Sequence, residues 1–355
     1  MLHSGIDKHK DNCFISTVND QGIIVGEARV KNTVADISAY FQSFGKEEHR
    51  AVVESTTGWY WLDDLLKTLG VELVLAHAKY LKAIAYAKVK TDKVDARTLA
   101  QLLRMNYIPI AHKIRPELRE VRDLTRARLR LVWKRTSCYN SIHRLGEKFN
   151  CDHLIDPDEN VLPEELPLLY KEQVTCLHHQ IVLLTEQIKH LEHLLNERLI
   201  DNDVIQHLLW IPAFGRITAF SVYLEIDGIE RFASEKQLFS YARVVPGANN
   251  SNHSRRHKSG NKDGNKYLKI AFTDAAVHAV RFYPEIRSFY QKMCRRSNEA
   301  IARTVVAKEL ARIVYYMLKN NTTYQGFKGQ PIQRHKVVAW PRRTTFAPAS
   351  LAAQL

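Results

Sequence analysis

The sequence predicts a mixed α/β sheet domain at the N-terminus, an α-helical and coiled-coil middle, and a mainly α-helical C-terminal domain. Three observations carry that prediction. Short apolar runs separated by turn signals fill the first 75 residues, as half-buried strands require. From Pro116 onward the apolar spacing becomes helical, and a Gly-, Asn- and Ser-rich basic loop then interrupts two apolar helical stretches. At 355 residues the chain exceeds the usual single-domain size, so more than one core is expected. The expected divisions are 1–112, 113–200 and 201–325, with a flexible tail over 326–355.

Ser4 to Ile6 opens the first strand, Cys13 to Val18 forms the second and Ile23 to Val30 the third, with Asn19-Asp20-Gln21-Gly22 as a hairpin turn. A helix from Val34 to Phe44, a buried strand Ala51-Val52-Val53-Glu54, a helix from Tyr60 to Leu69 and a strand from Glu72 to Leu75 follow. Three antiparallel strands followed by alternating helices and strands make a mixed sheet, and the order resembles the RNase H-like fold. Beyond Pro116, Arg119, Arg122, Arg126, Arg128, Arg130, Lys134 and Arg135 crowd one helical stretch. After a break from Asp156 to Pro167, Val174, Leu177, Ile181, Leu184, Ile188, Leu191 and Leu195 recur at spacings of three and four, the seam of a coiled coil. Its partner helix can lie in the same chain or in a second copy. A third unit starts near His207, turns through Trp210-Ile211-Pro212-Ala213-Phe214-Gly215 into a helix from Arg216, and ends around Leu318.

The net charge is +14 and the pI about 9.5, which points to a polyanionic partner; nucleic acid is the commonest, because phosphate neutralisation releases counterions. A membrane-surface role is disfavoured: the sequence offers no long apolar span and no signal-peptide pattern. A cytoplasmic, nucleoid-associated bacterial protein is expected. Cys13, Cys138, Cys151, Cys176 and Cys294 form no CxxC pair, so reduced and mostly buried thiols are expected rather than a zinc ribbon or a disulfide framework.

The chemistry is concentrated in four acids. Asp7 closes the first strand, Glu54 closes a buried strand, and Asp92 and Asp95 stand three apart where a helix should begin, on one face of that helix. Acids at the ends of adjacent strands with a helix above them can converge, and such a cluster suits Mg²⁺ or Mn²⁺ in phosphoryl transfer. The plainer account of Asp92 is a helix N-cap, and of Asp95 a first-turn residue that complements the helix dipole.

The segments Gly5-Ile6-Asp7-Lys8-His9-Lys10, Val53-Glu54-Ser55-Thr56-Thr57-Gly58 and Lys90-Thr91-Asp92-Lys93-Val94-Asp95-Ala96 together resemble the DEDD-type insertion-sequence transposases. The resemblance runs from about residue 3 to residue 320. It implies an RNase H-like (Holliday-junction-resolvase-like) domain joined through helices to a second catalytic domain bearing a serine. Leu208 to Ala219 resembles a helix-hairpin-helix, whose turn can hold a phosphate; Ala213 replaces the family's first glycine, and an ordinary helix connection is the plainer account. The family pattern continues through Tyr241-Ala242, Pro246, Ser251, the run Arg255-Arg256-His257-Lys258 and Lys262-Asp263-Gly264-Asn265-Lys266. Ser251 therefore takes the nucleophile position, with Asn252 where the family has glycine and with Ser254 and Ser259 as neighbours.

A serine attacking a phosphodiester needs stabilisation of the charge that develops on the phosphate. Seven Lys or Arg against one Asp lie between Arg243 and Lys269. The expected nucleic-acid contacts are Arg122, Arg126, Arg130, Arg255, Arg256, Lys258, Lys262 and Lys266; no organic cofactor is expected. The resemblance further implies DNA substrates (element ends and target) and a guide RNA made from the element, and the heptad seam points to a dimer or tetramer built on the coiled coil. Two other functions fit the same residues: a structure-selective nuclease using the acids and water only, with the basic loop as a clamp, and a nucleic-acid scaffold with structural acids.

Overall fold

The computed structural model describes residues 1–56, 58–84, 91–159, 161–245 and 263–327. The chain divides into two compact units, the first ending at Ile114 and the second beginning at Arg115.

In the first unit, strands β1 (Leu2–Lys8), β2 (Asn12–Val18) and β3 (Ile24–Lys31) form an antiparallel meander; helix α1 (Val34–Gln42), strand β4 (His49–Glu54), helix α2 (Trp59–Thr68), strand β5 (Val71–Ala76), helix α3 (Ala78–Ile84) and helix α4 (Asp92–Arg104) follow. The sheet order is β3-β2-β1-β4-β5. β1 runs antiparallel to β2 and parallel to β4, which runs parallel to β5. This is the expected RNase H-like mixed sheet, and alternation along its strands divides two layers of core. Ile6, Ile15, Ala51, Val53, Leu73 and Leu75 pack with Ile37 and Phe41 of α1 and with Leu62 and Leu66 of α2. On the opposite face Val52, Val74 and Ala76 pack with Leu81, Leu99, Leu102 and Leu103.

α4 is set unusually close to the sheet because Gly5 lacks a side chain. A Cβ there would stand 2.0 Å from the Ala96 carbonyl oxygen and 2.5 Å from the Ala100 nitrogen. Glu27 of β3 clamps the same helix, accepting Arg97 Nε at 2.5 Å and Nη2 at 2.8 Å with Lys93 Nζ at 3.2 Å. The Arg97 hydrogen bond pulls the Glu27 carboxyl down to about 2. Gly5→Ala is expected to cost about 3 kcal/mol, the upper end for overpacking, as read by urea unfolding; a loss below about 1 kcal/mol would show that α4 shifts freely.

β1 begins at Leu2, two residues earlier than the apolar pattern predicts, and its buried Ser4 is satisfied by neighbouring side chains. Ser4 Oγ lies 2.7 Å from His49 Nε2 and 2.6 Å from Thr17 Oγ1, which lies 2.8 Å from the Tyr40 hydroxyl. Burial, then the charge of His3, lowers the His49 imidazole to about 4. The unfolded chain therefore takes up this proton first as the medium acidifies. The stability this confers is complete above pH 6.5 and is lost between about pH 6.5 and 4, by at most about 3 kcal/mol. His49→Gln should flatten that limb of a stability-against-pH curve.

In the second unit, α5 (Pro116–Lys148) and α6 (Leu168–Leu199) are long helices. Arg128 meets Glu192, Arg135 meets Thr185, Cys138 meets Gln180 and Phe149 meets Tyr170. One number rises as the other falls, so the pair is antiparallel. Val174, Ile181, Ile188 and Leu195 are fully buried, while Leu177 and Leu184 are half-buried beside the cluster that Cys138 and Ile142 of α5 share with Val174 and Ile181. The heptad seam thus finds its partner within the chain. Cys13, Cys138 and Cys151 are buried, Cys294 is half-buried and Cys176 is exposed, all as free thiols.

Helices α7 (Asp203–Leu208), α8 (Arg216–Ile226), α9 (Glu235–Tyr241), α10 (Lys266–Phe282), α11 (Pro284–Cys294) and α12 (Glu299–Lys319) complete the unit. Phe220, Phe239 and Phe272 are among its largest fully buried side chains. Ala213 adopts φ 64°, a left-handed conformation that favours glycine. No described helix is long and apolar enough to cross a membrane.

Candidate carboxylate and serine-domain sites

The parallel pairing of Ile6 with Val53 places Asp7 and Glu54 one step further along two hydrogen-bonded strands. Gly5 and Val52 face α4, so alternation turns Asp7 and Glu54 to that face as well. α4 begins above this edge, and its N-cap is Thr91, whose hydroxyl accepts from the Val94 amide at 3.2 Å. Capping therefore falls to Thr91, and Asp92 turns to other partners. Asp92 Oδ2 accepts from Arg29 Nη2 at 2.6 Å, and Asp92 Oδ1 lies 3.2 Å from His9 Nε2, the same distance that separates His9 Nε2 from Asp7 Oδ2.

Asp7, His9 and Asp92 each present a ligand atom within 4.8 Å of the others. The carboxyl of Asp7 is raised above the ordinary aspartate range, first by burial and then by the charges of Asp92 and Asp95, against the opposing His9. A half-buried carboxylate next to other acids is short of positive charge, and hard oxygen donors on converging elements suit a divalent cation. The residues present fit such an ion. His9 and Arg29 were not singled out from the sequence: His9 adds a ring nitrogen to the cluster, and the Arg29 guanidinium pairs with Asp92. His9 follows Asp7 by two residues, a spacing visible in the sequence; Arg29 needs the strand register, which pairs Asp7 with Phe14 and Phe14 with Arg29.

The second unit has a buried ionic hub at Glu225 of α8, 3% exposed. Glu225 Oε2 accepts from Arg122 Nη2 at 2.9 Å, Arg126 Nη2 at 2.8 Å and Asn265 Nδ2 at 2.7 Å, and Oε1 accepts from Arg126 Nε at 2.6 Å. Burial alone would raise this carboxyl, but the hydrogen bond from Arg126 and the charges of Arg122 and Arg126 hold it below the ordinary glutamate range. Asn265 also caps α10, its Oδ1 accepting from the Tyr267 and Leu268 amides, while its own amide donates to the Tyr241 carbonyl at 2.6 Å. Gly264 has φ 103°, and a Cβ there would stand 2.5 Å from that carbonyl. Both flanks of residues 246–262, Tyr241 on one side and Gly264-Asn265 on the other, are thereby tied together.

Of the expected nucleic-acid contacts, Arg122 and Arg126 are engaged by Glu225, Arg130 is exposed on α5, and Lys266 is exposed at the start of α10. Ser251, Arg255, Arg256, Lys258 and Lys262 lie outside the described residues. Glu225 was signalled only by being an acid inside the apolar run Val222-Tyr223-Leu224-Glu225-Ile226.

Residues 4–147 match a family described as a transposase of the DEDD, IS110 type, and residues 205–291 match the transposase IS116/IS110/IS902 family. The transposase for insertion sequence element IS1111A of Coxiella burnetii is 24% identical over 348 residues, covering 90% of each chain. A probable family 20 transposase of Pseudomonas aeruginosa is 24% identical over 75% of this chain and 82% of its own length. The transposase for IS1328 of Yersinia enterocolitica is 22% identical over 77% of this chain and 84% of its own length. The first match holds all four acids and the second holds the helices around Glu225, so sequence likeness and geometry converge: the chain belongs to the DEDD-type insertion-sequence transposases, enzymes that recombine DNA.

Proposed function

We propose that the chain cuts and rejoins DNA strands, element ends with target, through Asp7, Glu54, Asp92 and Asp95 as ligands of a divalent cation and Ser251 as nucleophile. The observation that carries this reading is the convergence of Asp7 and Asp92 with His9, whose ligand atoms all lie within 4.8 Å of one another. A Mg²⁺ or Mn²⁺ ion held there supplies Lewis-acid stabilisation of phosphate oxygens. The Ser251 hydroxyl loses its proton as its oxygen attacks phosphorus, the strand's bridging oxygen leaves and takes up a proton, and a phosphoserine ester joins protein to DNA. The hydroxyl of an incoming strand end then displaces serine. Arg130, Arg255, Arg256, Lys258, Lys262 and Lys266 serve as phosphate contacts. Arg122 and Arg126 leave that set, because their guanidinium groups already hold Glu225.

Guidance by an RNA, and a dimer or tetramer, belong to the same proposal. Since the heptad seam is buried against α5, assembly would use other surfaces of the helical pair. The decisive substitution is Ser251→Ala. It should abolish strand joining and any covalent protein–DNA product on a denaturing gel, whereas a water-using nuclease would keep cutting. Sequencing the nucleic acid that copurifies with the wild-type protein tests the guide: a single defined small RNA is expected, and heterogeneous fragments would remove it from the proposal.

A further inference from the structure

With Arg122 and Arg126 taken up by Glu225, the basic face of α5 continues to a different feature. Trp133 is 40% exposed, an unusual position for an indole on a helix that also carries exposed Arg130 and Lys134. Lys266, the first residue of α10, places its Nζ 5.4 Å from the Trp133 ring and 5.1 Å from the Tyr267 ring. Arg126 lies 4.3 Å from the same tyrosine ring, so the hub that fixes Arg126 also fixes Tyr267. No carboxylate among the described residues pairs with Arg130, Lys134 or Lys266. Two aromatic rings and three cations with no acidic partner therefore form one ledge, built from α5 and the capped start of α10.

We infer that this ledge binds an unpaired nucleotide of single-stranded DNA, the base stacking on the exposed Trp133 indole and its phosphate meeting Lys266, with Arg130 and Lys134 along the backbone. Cations select a polyanion and an exposed ring face selects a flat apolar group; a nucleotide has both. In a duplex both faces of each base are covered by neighbours, so the ledge discriminates for unpaired strand. A transposase produces such strand whenever DNA ends are opened and exchanged, which favours DNA as the occupant. The ledge acts as a holding site for displaced strand and takes no part in bond breaking.

The test uses the full-length protein and its variants W133A and W133F, with fluorescently labelled single-stranded DNA, the matching duplex and an RNA strand of the same sequence. W133A should weaken single-stranded DNA binding roughly 5- to 100-fold, the range for removing one stacked base, and leave duplex binding unchanged; W133F, which keeps a ring, should stay within about threefold of wild type. Wild-type tryptophan fluorescence should be quenched by single-stranded DNA, and W133F should lose that component. K266A should lower the salt dependence of single-strand binding by about one phosphate contact. An equal loss on duplex, no loss on single-stranded DNA, or a loss larger on RNA than on DNA overturns the assignment. Circular dichroism of W133F and W133A establishes that a loss is not unfolding, and a W133A loss that W133F does not rescue also overturns it.

Discussion

Asp7→Asn is expected to abolish strand cleavage and divalent-ion stabilisation together, while leaving the metal-free protein no less stable than wild type. The direction follows from the electrostatics. The Asp7 carboxyl is raised by burial and by Asp92 and Asp95, so the folded state holds its proton more tightly than the unfolded chain does. For a raised acid, the cost to folding appears as pH rises past the ordinary aspartate value and is complete above the raised one. An asparagine removes that cost at neutral pH. It also removes one oxygen ligand and one charge from the ion, and activity should fall by roughly a thousandfold, equivalent to about 4 kcal/mol of transition-state stabilisation. Thermal unfolding with and without Mg²⁺ checks both halves. Wild type at an ion concentration a hundred times its dissociation constant gains about 2.7 kcal/mol, and the variant gains nothing. A variant that still cleaves, or that keeps its ion-dependent stabilisation, would remove Asp7 from the metal site.

Glu225→Ala should be the most destabilising single change in the helical unit, at about 3 to 5 kcal/mol. The carboxylate is 3% exposed at its side chain, and the facing guanidinium groups of Arg122 and Arg126 are 14% and 23% exposed. Truncation leaves two cations in a poorly hydrated place and takes the acceptor away from Asn265 Nδ2. Glu225→Gln, which keeps one acceptor, should cost less, and the difference between the two variants isolates the charge. Because the Glu225 carboxyl is held below its ordinary range, its contribution is present above that ordinary value and is lost only as pH falls through the depressed one. Urea unfolding at neutral and at acid pH measures this. Equal stability of wild type and Glu225→Ala at neutral pH would mean that the hub is solvated.

The residues that could be found by reading along the chain are those whose role depends on local pattern. Asp7 and Glu54 stand out because each ends an apolar strand, and Asp92 and Asp95 because they share one turn where a helix starts. The mixed sheet was legible for the same reason: strand alternation and turn chemistry are short-range properties. What escaped depends on register or on distant partners. Arg29 reaches Asp92 across 63 positions, through two antiparallel registers that no local pattern encodes. The same applies to Arg122 and Arg126. Helical spacing places them on a face, but it cannot say that an acid about a hundred residues away covers that face. Read alone, a row of arginines looks like a polyanion site. Here two of them are internal counter-ions, whereas Arg130 and Lys134 of the same helix are exposed beside Trp133 and Lys266. Gly5 stood inside the first motif, yet its reason is the Ala96 carbonyl oxygen of α4, which would stand 2.0 Å from a Cβ there, and this belongs to packing rather than to chemistry.

The tie between Tyr241 and Asn265 bears on how this enzyme type can diversify. Where the two ends of a chain segment are already joined by hydrogen bonds and a buried acid, the entropy of closing it is met by the framework; each doubling of its length then adds only about 0.6 kcal/mol. The hydrogen bond from Asn265 to Tyr241 thus makes the end of α9 and the start of α10 one fixed mount.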